Sequence, residues 1–325
     1  MSRRAGMLLI TAAIVAALAA PFLAPHAADA RDGGLLNAPP TWPHVVSGDG
    51  RWHAPFIYRW RIVSRLEQLY GEDRSVRVPL VWLSGGHLVQ SSSADAPLLI
   101  LGADSLGRDV FSRLLYGARI SLGLAAVAAL GATLIGGAIG GLAGYRGGVV
   151  DDVLMRGTDF VMVLPLMYVA LALRAVLPLV LTPTQVFLLL AVIFGALGAP
   201  FIARGVRAIV RSERQLDYAA AAAAMGASGW RLLGRHLMPA ARGFVAVQVT
   251  VLVPSFIVAE ATLSYVGLGF PDPIASWGTM LHDAATNIRV FADFPWLLSP
   301  AAAMFVVVLG LNLVLEEEKE PQRSS

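Results

Sequence analysis

The chain has 325 residues, 56% hydrophobic and 14% charged, and its mean hydropathy of +0.66 lies above that of soluble globular chains, so it reads as a polytopic membrane protein. Its formal net charge is +3 and it contains no Cys, which excludes a disulfide framework, thiolate catalysis and Cys-ligated zinc or iron–sulfur sites. The only Lys is Lys319, so no G-x-x-x-x-G-K-[ST] phosphate loop can be written and the chain is not its own P-loop ATPase.

The first predicted element is the apolar run from Ala5 to Leu23, preceded by Ser2-Arg3-Arg4. It fits either a first transmembrane helix or a secretory signal peptide, since Ala28-Asp29-Ala30 offers a small-x-small cleavage site. A run of about 19 residues is close to what a bilayer needs and favours an uncleaved span. Both readings place the next segment outside.

From 25 to 117 the chain is polar and rich in Pro and Arg, with Trp42, Trp52, Trp60 and Trp82. Long external segments translocate largely regardless of charge, so this is read as a periplasmic insertion. Tyr58 to Gly71 has apolar residues at helical spacing, whereas VRVPLVWL from Val76 reads as a strand. His44, His53 and His87 lack metal-ligand spacing and are expected as surface histidines.

The insertion ends in LGADSLGRDVFSRLLYGARISLG, Leu101 to Gly123. Asp104, Arg108 and Asp109 are placed to form an interfacial charge network that fixes an amphipathic helix. The next span, about Ile120 to Tyr145, carries Gly136, Gly140 and Gly144 at four-residue spacing, which leaves one helix face almost without side chains and open to close approach.

YRGGVVDDVLMRGTDFVMVLP follows, in which Arg156 and Asp159 are spaced i, i+3 for pairing and Pro165 is expected to kink a third span. That span ends near Leu177-Pro178, and Thr182-Pro183 makes an external turn. A fourth span, about Gln185 to Ala203, leads to Arg204, Arg207, Arg211 and Arg214. With Arg231, Arg235 and Arg242 beyond, this bias puts the intervening loop in the cytoplasm.

That loop contains DYAAAAAAMGASGWRLLGRHLMP, Asp217 to Pro239. Ser212 and Gln215 fit a capping box, the alanines from Ala219 to Ala224 favour helix, and Gly226 suits a left-handed helix end. A second turn set is expected from Gly229 to Leu237, stopping at Pro239. The fifth span, about Gly243 to Phe270, holds Glu260, an intramembrane carboxylate that faces either a cavity or a satisfied bundle interior. A sixth span, about Trp296 to Leu315, includes Asn312 and ends in the acidic tail EEEKEPQRSS.

Four of these stretches resemble, in order, the motifs of ATP-binding-cassette importer permeases of the dipeptide, oligopeptide and nickel type, over about Leu101 to Asn312. The first matches at Gly102, Asp104, Gly107, Arg108, Asp109, Ser112, Arg113, Gly117, Arg119 and Ser121. The second is the YRGG stretch. The third resembles the family's "EAA" coupling loop at Asp217, Tyr218, Ala221, Ala222, Gly226, Ala227, His236 and Pro239, with Ala220 where the family has an acidic residue. The fourth, AEATLSYVGLGFPDPIASWGTML, matches at Glu260, Ser264 and Trp277 among others.

The resemblance implies an all-α polytopic fold of about six transmembrane helices with a periplasmic insertion after the first. It divides the chain into an N-terminal helix (1–24), the insertion with its lead-in helix (25–117), a permease core (118–315) whose cytoplasmic coupling loop spans 206–240, and a cytoplasmic tail (316–325). It further implies the second permease subunit of an ATP-driven importer in the bacterial inner membrane, with both termini cytoplasmic. Such a subunit has no catalytic residues, metal or cofactor of its own. ATP and Mg sit on two partner ATPases, and a related permease and an external substrate-binding protein complete the set. The coupling loop docks on the ATPase, and Glu260, Ser264 and Trp277 are pathway or gate candidates.

Two other readings compete on residues alone. An ion-gradient-driven secondary transporter calls for paired intramembrane carboxylates or broken helices in matching halves, and only Glu260 is present without an evident repeat. A membrane-anchored periplasmic enzyme calls for a nucleophile, base and orienter in the 25–117 lobe, and no such set is evident.

Overall fold

The structure, a computed structural model, describes residues 3–47, 50–165, 168–169, 171–172, 181–286, 289 and 291–319. In chain order it forms α1 (Arg3–Leu18), α2 (Ala20–Leu23), β1 (His44–Val46), β2 (Trp52–Ser64), β3 (Leu69–Ser84), β4 (His87–Ser91), α3 (Val110–Arg146), α4 (Gly148–Val163), α5 (Pro183–Glu213), α6 (Asp217–Ala224), α7 (Arg242–Tyr265), α8 (Trp277–Ala285) and α9 (Ser299–Lys319). Between α6 and α7 runs a helical connector whose turns change from α (Gly229–Arg231) to π (Leu232–Leu237) to 3-10 (Met238–Ala241).

Among the described residues, four helical runs are long and apolar enough to cross a membrane: Val110–Arg146, Pro183–Glu213, Gly229–Tyr265 and Pro295–Val314. The lead-in helix and the second span are one helix, α3. The first expected span is divided into α1 and α2, with proline in the first turn of α2. Pro165 lies just past a helix end rather than inside a described helix. Helix α4 has already stopped at Val163, and Leu164 is extended with ψ 121°, as the clash with a following proline ring requires. Leu177-Pro178 lies outside the described residues. Thr182, expected in a turn, caps α5 through a reciprocal capping box with Gln185.

The chain divides into two compact units, one centred on Gly123–Leu263 and one made of Arg4–Leu122 with Ser264–Gly310. In the first, the glycine face of α3 lies against the backbone of α5. A Cβ on Gly144 would stand 2.6 Å from the Arg207 carbonyl oxygen, and on Gly136 and Gly140 it would stand closer still to those of Ala199 and Ala203. Only glycine lets the two backbones meet so closely. Further along α5, Phe194 stacks on Phe256 of α7 with ring centroids 5.7 Å apart, and Leu190, Ile202 and Val206 are buried.

The second unit contains a four-stranded antiparallel sheet in the order β1-β2-β3-β4. It corrects the all-α expectation, and it corrects the helix read from Tyr58 to Gly71, which is the β2–β3 hairpin with Trp60 opposite Glu72 and Ile62 opposite Tyr70. Along Arg59-Trp60-Arg61-Ile62-Val63 the residues alternate exposed and half-buried, the period of two that a sheet demands. Ile57, Val78 and Leu80 pack with Ala96 and Leu98 beneath the sheet.

Candidate functional site

The residues expected to form the coupling loop build a short helix, α6, and the helical connector after it, in the Gly123–Leu263 unit. Helix α6 begins at an N-cap, Leu216, that offers no side-chain cap. The expected Ser212–Gln215 capping box is absent because α5 continues through Ser212 to Glu213. Instead, the Tyr218 hydroxyl donates to Glu213 at 2.6 Å.

At the other end, the Gly226 N–H donates to the Ala223 carbonyl at 3.0 Å and the Ala227 N–H to that of Ala222 at 3.1 Å. With Gly226 at φ +86°, this is a Schellman close, which only glycine enters without steric cost. Ala219 and Ala222 face inward, whereas Ala220, Ala221, Ala223 and Ala224 are exposed. Met225 and Trp230 flank this alanine face at 83% and 74% exposure.

Pro239 does not end the second turn set. The helical run continues through it into α7, and the change of turn type has a physical cause. Proline has no N–H and its ring clashes with the carbonyl four residues back, here Arg235. The Met238 N–H accordingly bonds five residues back to Leu233, and the Arg242 N–H three back to Pro239. His236 is half-buried, and Leu232, Leu233 and Leu237 anchor the connector inward.

Helices α4 and α5 are fastened by charge. Asp151 accepts from Nε and Nη2 of Arg207 and lies 3.7 Å from Arg211. Asp159 pairs with Arg204 rather than with Arg156, its expected partner. Arg214 donates to the Tyr145 carbonyl and stands 5.2 Å from that ring's centroid.

The motif Leu101 to Gly123 builds the charge centre of the other unit. Asp104 Oδ1 accepts from the backbone N–H groups of Leu106 and Arg108, both at 2.9 Å, in a turn that needs Gly107 at φ +73°. The turn places Arg108, 1% exposed, with Nε 2.7 Å from Asp104, Nη1 2.6 Å from Asp272 and Nη2 2.7 Å from Asp283. Arg113, equally buried, lies 3.5 Å from Asp104 and 3.6 Å from Asp283. Arg31 also binds Asp272.

Three arginines thus meet three aspartates. Burial works against the Arg108 charge, but Asp104, Asp283 and Asp272 outweigh it and hold the guanidinium still more firmly protonated. Burial also lifts the Asp283 carboxyl above its ordinary range, and Arg108 and Arg113 offset this only in part.

Asp109, expected in the same network, does something else. It caps α3, accepting from the N–H groups of Phe111 and Ser112 at 3.1 and 3.2 Å, and it takes His26 Nδ1 at 3.3 Å. Arg119 is exposed. Sequence reasoning did not single out Arg31, Asp272, Asp283, Asp151 or His26. Asp151 and Asp272 lie inside recognisable motifs and Asp283 just past one, whereas Arg31 and His26 carry no local signal, and the partners of all five lie far away along the chain.

The gate candidates are all buried: Glu260 at 1%, Ser264 at 2% and Trp277 at 2% exposure. Trp277 donates its backbone N–H to Ser121 Oγ and its indole N–H to the Leu114 carbonyl, each at 3.1 Å, while Ser276 caps α8. In the sheet-bearing unit, His44 faces Glu72, His53 contacts Ser47 and Arg77, and His87 bonds the Ala24 carbonyl.

Residues 136–316 match the family model of the binding-protein-dependent transport system inner membrane component. The chain belongs to that family. This permease is 38% identical over 214 residues to the oligopeptide transport system permease protein OppC of Bacillus subtilis, covering 66% of this chain and 67% of that one. It is 39% identical over 225 residues to the dipeptide transport system permease protein DppC of the same organism, 68% of each chain. It is 34% identical over 228 residues to the glutathione transport system permease protein GsiD of Pectobacterium atrosepticum, 69% of this chain and 73% of that one. The permease is therefore a transport component of the inner membrane with several membrane-spanning helices, not an enzyme, and membership implies a binding protein and an ATPase as partners. The matched region contains the glycine face, the coupling-loop residues and all three gate candidates.

Proposed function

We propose that this permease forms half of the translocation pathway for peptides in an importer of about six spans per subunit, paired with a related permease, driven by two ATPases and fed by an external binding protein. Peptides are favoured because the relatives named above are oligopeptide, dipeptide and glutathione permeases. ATP and Mg are held by the ATPases. The coupling residues are Asp217, Tyr218, Ala221, Gly226, Ala227, His236 and Pro239, with Ala222 supporting them from the inner face. Both termini and the loop are placed in the cytoplasm. The pathway or gate residues are Glu260, Ser264 and Trp277, and Asp104, Gly107, Arg108, Asp109, Arg113 and Arg119 belong to its periplasmic end.

The observation that carries this reading is the glycine-closed helix α6 with an exposed alanine face, which follows directly on α5, itself fastened to α4 by the Asp151–Arg207 and Asp159–Arg204 pairs. A narrow rigid knob suits a partner groove, and fastened helices pass its displacement on as one body. Closure of the ATPase pair then moves the knob and shifts the pathway between inward- and outward-facing states.

The test is reconstitution with the partner ATPases and binding protein. ATP-driven peptide uptake is expected for the wild type and is expected to persist without an ion gradient. Gly226→Val forces a β-branched residue into left-handed backbone, a cost of about 1–3 kcal/mol. It is expected to lower uptake per ATP hydrolysed at normal expression. Unchanged coupling in that variant refutes the docking role of α6.

A further inference from the structure

We propose that a cleft of about 540 Å³ between the Ala27–Asp29 loop, the Tyr116–Ile120 turn of α3 and the Pro273–Ala275 segment holds a short peptide by its two charged ends, Arg119 taking the carboxylate and Asp29 the ammonium. This deepens the peptide reading above and rests on it.

The volume lies within the range of small-molecule sites, roughly 300–1,000 Å³. Its walls are mostly apolar, contributed by alanines, Ile120, Ile274 and Pro273, while Asp29 and Arg119 bring opposite charges to it. Both are exposed, and neither side chain has an ion pair or hydrogen bond among the described residues. Two unspent charges of opposite sign lining one mostly apolar cleft match a zwitterion. The planar guanidinium fork suits a carboxylate in particular.

The buried charge centre explains why these walls are fixed. Asp272, next to Pro273, is held by Arg108 at 2.6 Å and also by Arg31. Arg113 donates to the carbonyl of Ala28, the residue before Asp29, at 3.3 Å. Trp277 is tied to Ser121 at 3.1 Å, two residues past Arg119 on the same helix. The loop, the helix and the segment after Asp272 are therefore tied down through one network, and a site whose supports are locked needs little ordering when ligand arrives.

The experiment uses the full complex, with binding protein and ATPases, in proteoliposomes. It follows uptake of radiolabelled dialanine and trialanine alongside binding-protein-stimulated ATP hydrolysis. Arg119→Ala and Asp29→Ala are each expected to lower uptake about tenfold, the loss of one charge-assisted hydrogen bond, while hydrolysis continues. Arg119→Lys keeps the charge and is expected to fall between. Wild-type uptake in both alanine variants overturns the assignment, as would be found if Arg119 met only lipid phosphate. Loss in one variant alone overturns recognition of both ends, and a parallel loss of hydrolysis reduces the pair to a structural role. A wild-type complex that transports neither peptide overturns the peptide reading itself.

Discussion

Arg108 shows how one side chain can hold a whole unit in register. Three carboxylates surround a guanidinium that is 1% exposed, and each comes from a different stretch of sequence. Removing one member of a buried charge set costs about 3–5 kcal/mol, because the partners remain desolvated and unpaired. Arg108→Gln is therefore expected to lower the thermal unfolding temperature of the purified protein well below that of the exposed-site variant Arg74→Gln, whose pair with Glu72 is 74% exposed on the arginine side. Equal unfolding temperatures would disprove the supporting role. Asp283 adds a pH signature. Its folded-state carboxyl titrates above the ordinary value because of burial, so the native state keeps a proton that the unfolded state has released. Stability accordingly declines as pH rises from about 4 to the raised value, and the full penalty remains above it. Asp283→Asn is expected to flatten that decline in unfolding temperature measured against pH.

Helix α6 separates two roles that adjacent alanines would otherwise share. Ala222 is 5% exposed and Ala221 faces outward, so a bulky residue means different things at the two positions. Ala222→Trp overpacks its own unit, at a cost of about 1–3 kcal/mol, and is expected to lower the unfolding temperature. Ala221→Trp is expected to leave unfolding unchanged and to weaken ATPase binding in co-purification. The reverse pattern would contradict the assignment of faces. Much of the local structure was legible: a run of alanines closed by glycine spells a short helix with a left-handed end, and the glycine spacing on α3 announced a close backbone approach. What stayed hidden had physical causes. Tyr58 to Gly71 satisfied a helical spacing of apolar residues, yet Arg59, Trp60, Arg61 and Ile62 also alternate, and cross-strand pairing with β3 decided the outcome. Pro239 marks a stop locally, but the preceding turn widened to π and the following one tightened to 3-10, so the helix passed through. Arg108 and Asp283 stand 175 positions apart, a separation at which no local pattern specifies a partner.

For the whole molecule, the proposed orientation in the membrane rests on the distribution of arginine. Arg146, Arg156, Arg204, Arg207, Arg211, Arg214, Arg231, Arg235 and Arg242 all fall between α3 and the start of α7, and short segments with such a bias remain on the cytoplasmic side. The sheet-bearing insertion carries Arg as well, but its length releases it from that constraint. The absence of Cys in the sequence makes the arrangement directly measurable, because each introduced thiol is the only one in the chain. Trp52 and Met225 are 80% and 83% exposed, so Trp52→Cys and Met225→Cys leave the packing of their units undisturbed. A membrane-impermeant maleimide is expected to label Trp52→Cys in intact spheroplasts and Met225→Cys only in inverted vesicles. Labelling of Met225→Cys from outside would place the alanine knob beyond reach of any cytoplasmic ATPase. The coupling role would then fail, whatever the stability of α6.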